Sequence, residues 1–158
     1  MTISRRSGSN WVIPSNIRRR SGSSWVDVEN IYRRSGNTWI TVYTRYTAPT
    51  ASVNPTTVLG SYFGSMPPPN ITTLPATASA SGGTGNFTYE WQYVSGSTLF
   101  FATAPYNATS AFQINTPPPG TTTAVYRCRI NDGVTTVYTP NVTVRAEFTQ
   151  SGGGPIDP

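Results

Sequence analysis

Two patterns of apolar and polar positions run along this chain, and neither has the period of a helix. The first occupies the residues up to Tyr46. In its clearest copy, Ile31 to Arg34 reads as an extended run, Ser35-Gly36-Asn37 as a turn, and Thr38 to Tyr43 as a second run of aromatic and β-branched residues. Glycine supplies the positive φ that a tight hairpin turn requires, and Asn tolerates it. Alternation along the second run places Trp39, Thr41 and Tyr43 on one face and Ile40 and Val42 on the other. Both faces are then partly apolar, and a thin sheet has no layer of its own to cover either of them.

This unit is written three times. It reads Arg5-Arg6-Ser7-Gly8-Ser9-Asn10-Trp11-Val12, then Arg19-Arg20-Ser21-Gly22-Ser23-Ser24-Trp25-Val26, then Arg33-Arg34-Ser35-Gly36-Asn37-Thr38-Trp39-Ile40. The period is fourteen residues, with Ile3, Ile17 and Ile31 in phase and a fourth copy begun at Arg45-Tyr46. That is too short for the usual helical repeats, and it predicts strand, turn, strand and return turn three times over, a meander across residues 1–46. The uncovered apolar faces make Trp11, Trp25, Trp39, Ile17, Ile31, Ile40 and Val42 the expected oligomerisation or anchoring interface. Another copy of the chain is the simplest partner.

The second pattern follows a short Pro, Thr and Ala linker over residues 47–50 and fills residues 51–148. Ala76, Ala78 and Ala80 alternate with Thr77, Ser79 and Ser81 before the turn Gly82-Gly83-Thr84-Gly85, read as a hairpin loop. Phe87, Tyr89, Trp91 and Tyr93 alternate with Thr88, Glu90 and Gln92, and after Ser95-Gly96-Ser97 the run Leu99 to Thr103 is expected to pair back. Ala111 to Asn115 is a further strand, stopped by Pro117-Pro118-Pro119-Gly120. Ala124, Tyr126, Cys128 and Ile130 face inward, Asn131-Asp132-Gly133 turns the chain, and Val134 to Phe148 returns with an edge or bulge at Pro140. About seven short strands at this spacing predict an antiparallel sandwich. Residues 149–158 read as a flexible Gly/Pro tail.

Composition agrees with an all-β chain: Gly and Pro number 14 each, charged residues are 11%, and the 12% of aromatic residues is too high for disorder. Charge changes the picture more. All eleven basic residues are Arg, and residues 1–46 hold eight of them against Asp27 and Glu29, a local balance of +6; the remainder carries −1. An Arg-rich segment of this kind can contact nucleic acid through phosphates. Recurrence at one fixed phase beside a Trp reads instead as architecture, with Arg stems flanking and covering the indoles and adding cation–π contacts. Met1 to Arg6 carries no apolar export signal, no apolar segment spans a membrane, and the lone Cys128 fits folding in a reducing cytoplasm.

The residues 78–91, Ala78-Ser79-Ala80-Ser81-Gly82-Gly83-Thr84-Gly85-Asn86-Phe87-Thr88-Tyr89-Glu90-Trp91, resemble the B to C region of bacterial and phage immunoglobulin-like or PKD-like domains. Tyr126-Arg127-Cys128-Arg129-Ile130-Asn131-Asp132-Gly133 resembles strand F of that fold, with Tyr126 placed two residues before Cys128 as in a tyrosine corner. The first cysteine of the fold is absent, since small residues near Ala78 stand in its place. The resemblance therefore implies a core of Trp91, Tyr126 and Cys128, the last a free buried thiol. Units of the form Tyr32-Arg33-Arg34-Ser35-Gly36-Asn37-Thr38-Trp39-Ile40 are similar to segments of small structural proteins of tailed bacteriophages, in tail or head appendages and decoration proteins. This resemblance implies a virion protein in which one part anchors and the other is displayed, and a fibre-like appendage suggests a trimer.

Candidate chemistry is sparse. Without histidine there is no His-based triad and no usual zinc or iron site. Glu90 and Asp132 are the one carboxylate pair that could meet at an end of the sandwich. The Gly82–Gly85 loop lacks the Lys and the helix of a phosphate cradle. No catalytic, cofactor or metal residue is expected, and the chain reads as a non-enzymatic virion protein. A host-surface glycan- or protein-binding module and nucleic-acid binding by the repeat are the alternatives.

Overall fold

The structure, a computed structural model, describes residues 5–7, 10–12 and 16–151, the first two segments by their backbone alone. It is all-β and divides into two compact units, residues 1–47 and 48–158. The first unit contains three hairpins: β1 (Arg5–Ser7) with β2 (Asn10–Val12), β3 (Arg18–Ser21) with β4 (Ser24–Asp27), and β5 (Asn30–Ser35) with β6 (Thr38–Thr44). Gly22 and Gly36 take φ of 62° and 58° at the first central turn position, the placement a type II′ hairpin assigns to glycine.

Two expectations for this unit are corrected. Each hairpin is its own two-stranded sheet, so the units follow one another without forming a meander. The third hairpin also carries a bulge: Tyr32 pairs with Thr41 and Ile31 with Tyr43, leaving Val42 as the extra residue. Tyr43 is thereby moved from the Trp39 face to the face of Ile31, Arg33 and Ile40, and it is buried. Strict alternation could not foresee that switch.

The second unit is a sandwich of two four-strand layers. One layer runs β12 (Phe100–Ala102), β13 and β14 (Thr109–Ser110 and Phe112–Asn115), β9 and β10 (Asn70–Thr72 and Ala76–Ser81), and β7 (Thr50–Asn54). The breaks within its two split strands are mended by buried hydroxyls. Thr73 Oγ1 accepts the Phe112 N–H at 3.1 Å, and Ser110 Oγ accepts that of Ala104 at 3.1 Å. The other layer runs β11 (Thr88–Gly96), β15 (Gly120–Asn131), β17 (Val142–Gln150) and β8 (Thr57–Gly64), with β16 (Thr136–Tyr138) also pairing β15. This division of strands between the layers is that of an immunoglobulin-like sandwich.

Several strand assignments differ from the alternation pattern. The Gly82–Gly85 loop crosses between layers, because β10 and β11 do not pair, so it is not a hairpin loop. The run after Gly96 does not pair back either: β12 joins β14 in the opposite layer. The sandwich is not wholly antiparallel, since β8 pairs β17 in parallel from Thr57–Thr143 to Gly64–Gln150. Thr149 and Gln150 belong to that ladder, so the tail expected from residue 149 does not start there; residues 152–158, the rest of that expectation, lie outside the described residues. Pro140 does mark a bulge, where the Thr139 hydroxyl accepts the Cys128 N–H at 2.9 Å in place of a ladder bond.

Between the layers lie Val58, Phe100, Phe112, Ile114, Ile130, Val142 and Val144, all buried, with Trp91, Tyr126 and Cys128 among them. The layers approach closely at Gly60, where a Cβ would stand 2.6 Å from the Thr72 carbonyl oxygen and 2.8 Å from Ile71 Cγ2. Only glycine fits there without displacing backbone. Gly60→Ala is expected to destabilise the sandwich by about 1–3 kcal/mol. The readout is a lower urea midpoint at unchanged slope. Trp91→Ala, which empties the largest core site, is expected to cost about 3–5 kcal/mol. A wild-type midpoint for Gly60→Ala would contradict the close approach of β8 to β9.

Candidate functional site

The hairpins share one register. Arg6 stands opposite Trp11, Arg20 opposite Trp25 and Arg34 opposite Trp39, one pair in from the residues that flank the turn. In a two-residue hairpin that pair is the non-hydrogen-bonded one, where opposing side chains come closest. Arg5, Arg19 and Arg33 pair instead with Val12, Val26 and Ile40.

The arginines flank the indoles but do not cover them. Arg20 Nε donates to the Gly22 carbonyl and Arg34 Nε to the Gly36 carbonyl, each at 3.1 Å. The guanidinium is thus held against its own turn, and Trp25 and Trp39 stay 64% and 68% exposed. Ile40 and Tyr32 are exposed too, while Ile17, Ile31 and Val42 are half-buried; the side chain of Trp11 lies outside the described residues. Tyr32 and Trp39 share a face, and with Asn30 and Ile31 they line a recess of about 610 Å³.

Asp27 is the electrostatic centre of this unit. Its two oxygens meet Arg18 Nε and Arg45 Nη1, each at 2.8 Å, and Arg45 also reaches Glu29 at 3.3 Å. The Arg18 hydrogen bond, helped by Asn16, holds the Asp27 carboxyl below its ordinary value of 3.8. Arg45 in turn donates its backbone N–H to the Glu29 carbonyl at 2.7 Å, closing the base of the third hairpin.

In the sandwich, the expected core residues are brought together. Trp91 and Cys128 are register partners on β11 and β15, 5% and 0% exposed. The Trp91 ring meets Phe112 edge-on at 5.4 Å, and its Nε1 donates to the Asn107 carbonyl at 3.0 Å. Burial pushes the Cys128 thiol above its usual value, partly offset by a hydrogen bond from the Glu90 backbone. Tyr126 is not a tyrosine corner. It sits well inside β15, and its hydroxyl donates at 2.7 Å to the carbonyl of Phe100 on the opposite layer.

The carboxylates considered for chemistry serve the framework. Asp132 is buried; its Oδ1 accepts the N–H groups of Val134 and Thr135 at 2.9 and 2.7 Å, and its Oδ2 accepts that of Thr84 at 3.0 Å. It therefore fastens the inter-layer Gly82–Gly85 loop to the β15–β16 turn. The sequence offered Asp132 as a turn residue and as a carboxylate that could meet Glu90, but not as a fastener of this loop, because Thr84 lies 48 residues away. Glu90 meets Arg129 at 3.2 Å and accepts from Gln92. Arg127 lies over the Tyr138 ring at 4.1 Å. Among the described residues no group of three or more His, Cys, Asp or Glu could hold a metal ion, and no helix is long and apolar enough to cross a membrane.

A thiol reagent is expected to label Cys128 only in denaturant; rapid labelling of the folded chain would contradict its inward register. Asp132→Ala, which strands three backbone donors, is expected to cost about 2–4 kcal/mol in chemical unfolding. For Asp27 the sign is set by a lowered folded-state value. Its contribution is complete above the unfolded value of about 3.9 and is lost as pH falls through the lower folded value. Hairpin signals should therefore hold steady from neutral pH down to about pH 5 and weaken at lower pH. Asp27→Asn should abolish that acid-side loss, and a transition unchanged in the variant would contradict the assignment.

No protein-family model and no curated protein matches the chain. Several solved structures are similar to it, among them the following three. One is a nucleoside hydrolase-related hypothetical protein from Saccharophagus degradans associated with carbohydrate metabolism, at 18% identity and TM-score 0.40, over 67% of this chain and 26% of that one. Another is the PKD domain of human KIAA0319, at 14% identity and TM-score 0.37, over 65% of this chain and 88% of that one. The third is the M1 domain of titin, at 10% identity and TM-score 0.27, over 65% and 93%. The chain thus spans about a quarter of the first protein's length, and the immunoglobulin-like assignment stands on the strand order described above.

Proposed function

We propose that this chain is a non-enzymatic structural and binding protein whose Arg/Trp hairpins attach it to an assembly and whose sandwich is displayed. The observation that carries this reading is the exposure of Trp25 and Trp39 on hairpins that have no layer to cover them. Isolated two-stranded sheets are marginally stable in water, and covering one Trp contributes a few kcal/mol. Three such units in one register would give an attachment surface without a covalent link.

The finer assignment follows from the resemblance of the repeat to phage structural proteins: a bacteriophage virion protein of a tail or head appendage or a capsid decoration, folded in the host cytoplasm. Other virion proteins, or further copies of the chain in a trimer, would supply the cover. The sandwich suits display. The chain enters it at β7, where Thr50 pairs with Ser81, and leaves at the opposite end, where Gln150 pairs with Gly64. That far end carries a recess of about 620 Å³ between Pro67–Pro69 and Pro117–Pro119, floored by Phe148, which favours host-surface binding as a second role.

The test is incorporation into particles. In density-gradient fractions of phage carrying the gene, the wild-type chain is expected to co-migrate with particles. The triple variant Trp11→Ala, Trp25→Ala, Trp39→Ala should stay in the soluble fraction, whereas Arg→Gln at positions 5, 19 and 33 should reduce incorporation less. Absence of the wild-type chain from particles would contradict the virion assignment. Full incorporation of the Trp variant would contradict the attachment role of the hairpins.

A further inference from the structure

We propose that the surface covering the Arg–Trp hairpins is an acidic protein surface, each unit taking one carboxylate beside one apolar side chain, and not a second copy of this chain. The inference rests on the attachment role proposed above and adds the chemistry of the partner.

Charge is the first argument. Residues 1–46 contain eight Arg and only two acids, Asp27 and Glu29. Both acids are engaged by Arg18 and Arg45. The Arg19–Arg20 and Arg33–Arg34 pairs therefore carry charge that no other acid of the segment offsets. Two copies meeting through these faces would set guanidinium rows against each other, and like charges across an interface oppose association. An acidic face removes that repulsion and replaces it with attraction.

Geometry is the second argument. The Nε of Arg20 and of Arg34 is spent on the turn carbonyl at the same 3.1 Å, which fixes the guanidinium plane. Its two terminal amino groups form the edge that binds a carboxylate bidentately. Beside that fixed edge stands a bare indole, and on the third hairpin the Tyr32–Trp39 recess adds an apolar seat. A protein partner is favoured over nucleic acid by the backbone. Each hairpin is a two-stranded sheet with both outer edges outside any larger sheet, and an extended polypeptide can add to such an edge where a nucleic acid cannot.

The test uses the full chain and three defined probes at low salt: a peptide of alternating Glu and Phe, one of alternating Arg and Phe, and a single-stranded thymidine oligomer. Sedimentation reports the state of the free chain, and the fluorescence anisotropy of dye-labelled probes reports binding. The chain is expected to be monomeric and to prefer the Glu–Phe peptide to the Arg–Phe peptide by about tenfold or more, with Trp25→Ala/Trp39→Ala and Arg20→Gln/Arg34→Gln each weakening that binding about tenfold. All four substitutions are at exposed positions, and an unchanged pattern of cross-strand contacts in the NMR spectra of β3 to β6 certifies that the variant hairpins still form. Self-association of the free chain through shielded tryptophans would overturn the acidic partner while leaving the attachment role intact. Tighter binding to the thymidine oligomer than to the Glu–Phe peptide would replace the protein partner by nucleic acid. Equal binding of both peptides would remove the charge argument, and wild-type behaviour of the Trp variant would overturn the attachment role as well.

Discussion

A two-stranded hairpin has two faces and no second layer, so whatever apolar surface it carries must be covered from outside. The first unit repeats that condition at a fixed register, with a Trp opposite an Arg each time. What local interactions can do is present: the glycine turns, the arginines folded onto their own turn carbonyls, and Asp27 shared between Arg18 and Arg45. None of these buries Trp25 or Trp39. Exposed aromatic side chains in a regular arrangement are what the proposed attachment role rests on, because large exposed apolar patches mark sites of association.

The sandwich is the opposite case. Its two layers supply each other's cover, and the links between them are specific. The Tyr126 hydroxyl reaches the Phe100 carbonyl, the Trp91 ring meets Phe112, and Asp132 fastens the inter-layer loop to the turn after β15. The chain enters this closed core at the Thr50 end and leaves it at the far end. The parallel β8–β17 pair carries the outgoing strand alongside β8 to that far end. One chain thus joins a unit with exposed indoles to a unit with a closed core.

Legibility in the sequence followed the same division. Local period was readable: the turns at Gly22 and Gly36, the alternation of β10, β11 and β15, and the inward set Ala124, Tyr126, Cys128 and Ile130 all follow from residue spacing. Non-local geometry was not. Strand β8 escaped notice because Val58 and Tyr62 alternate with Leu59 and Phe63, apolar on both sides, with Gly60 and Gly64 interrupting the run. The Val42 bulge was hidden by a clean-looking alternation, and its effect on Tyr43 appears only once Ile31 is known to be the partner. Asp132 read as a turn residue and a candidate partner of Glu90, and its structural role stayed hidden since the loop it holds is remote in sequence. The hairpin faces were recognisable as uncovered, while the posture of the arginines depended on turn carbonyls that only the folded backbone places.

The Trp25 and Trp39 faces of the hairpins stand uncovered, with Tyr43 alone buried among the large side chains described in that unit, while the sandwich has a closed core. Amide hydrogen exchange on the dilute, unpartnered full chain tests this contrast, since protection reports the free energy of local opening. Slow exchange, near the limit of global unfolding, is expected along β15 and β17, and fast exchange along β3 to β6 that slows once the chain is bound in its assembly. Hairpin amides as strongly protected as those of β15 in the free monomer would contradict it.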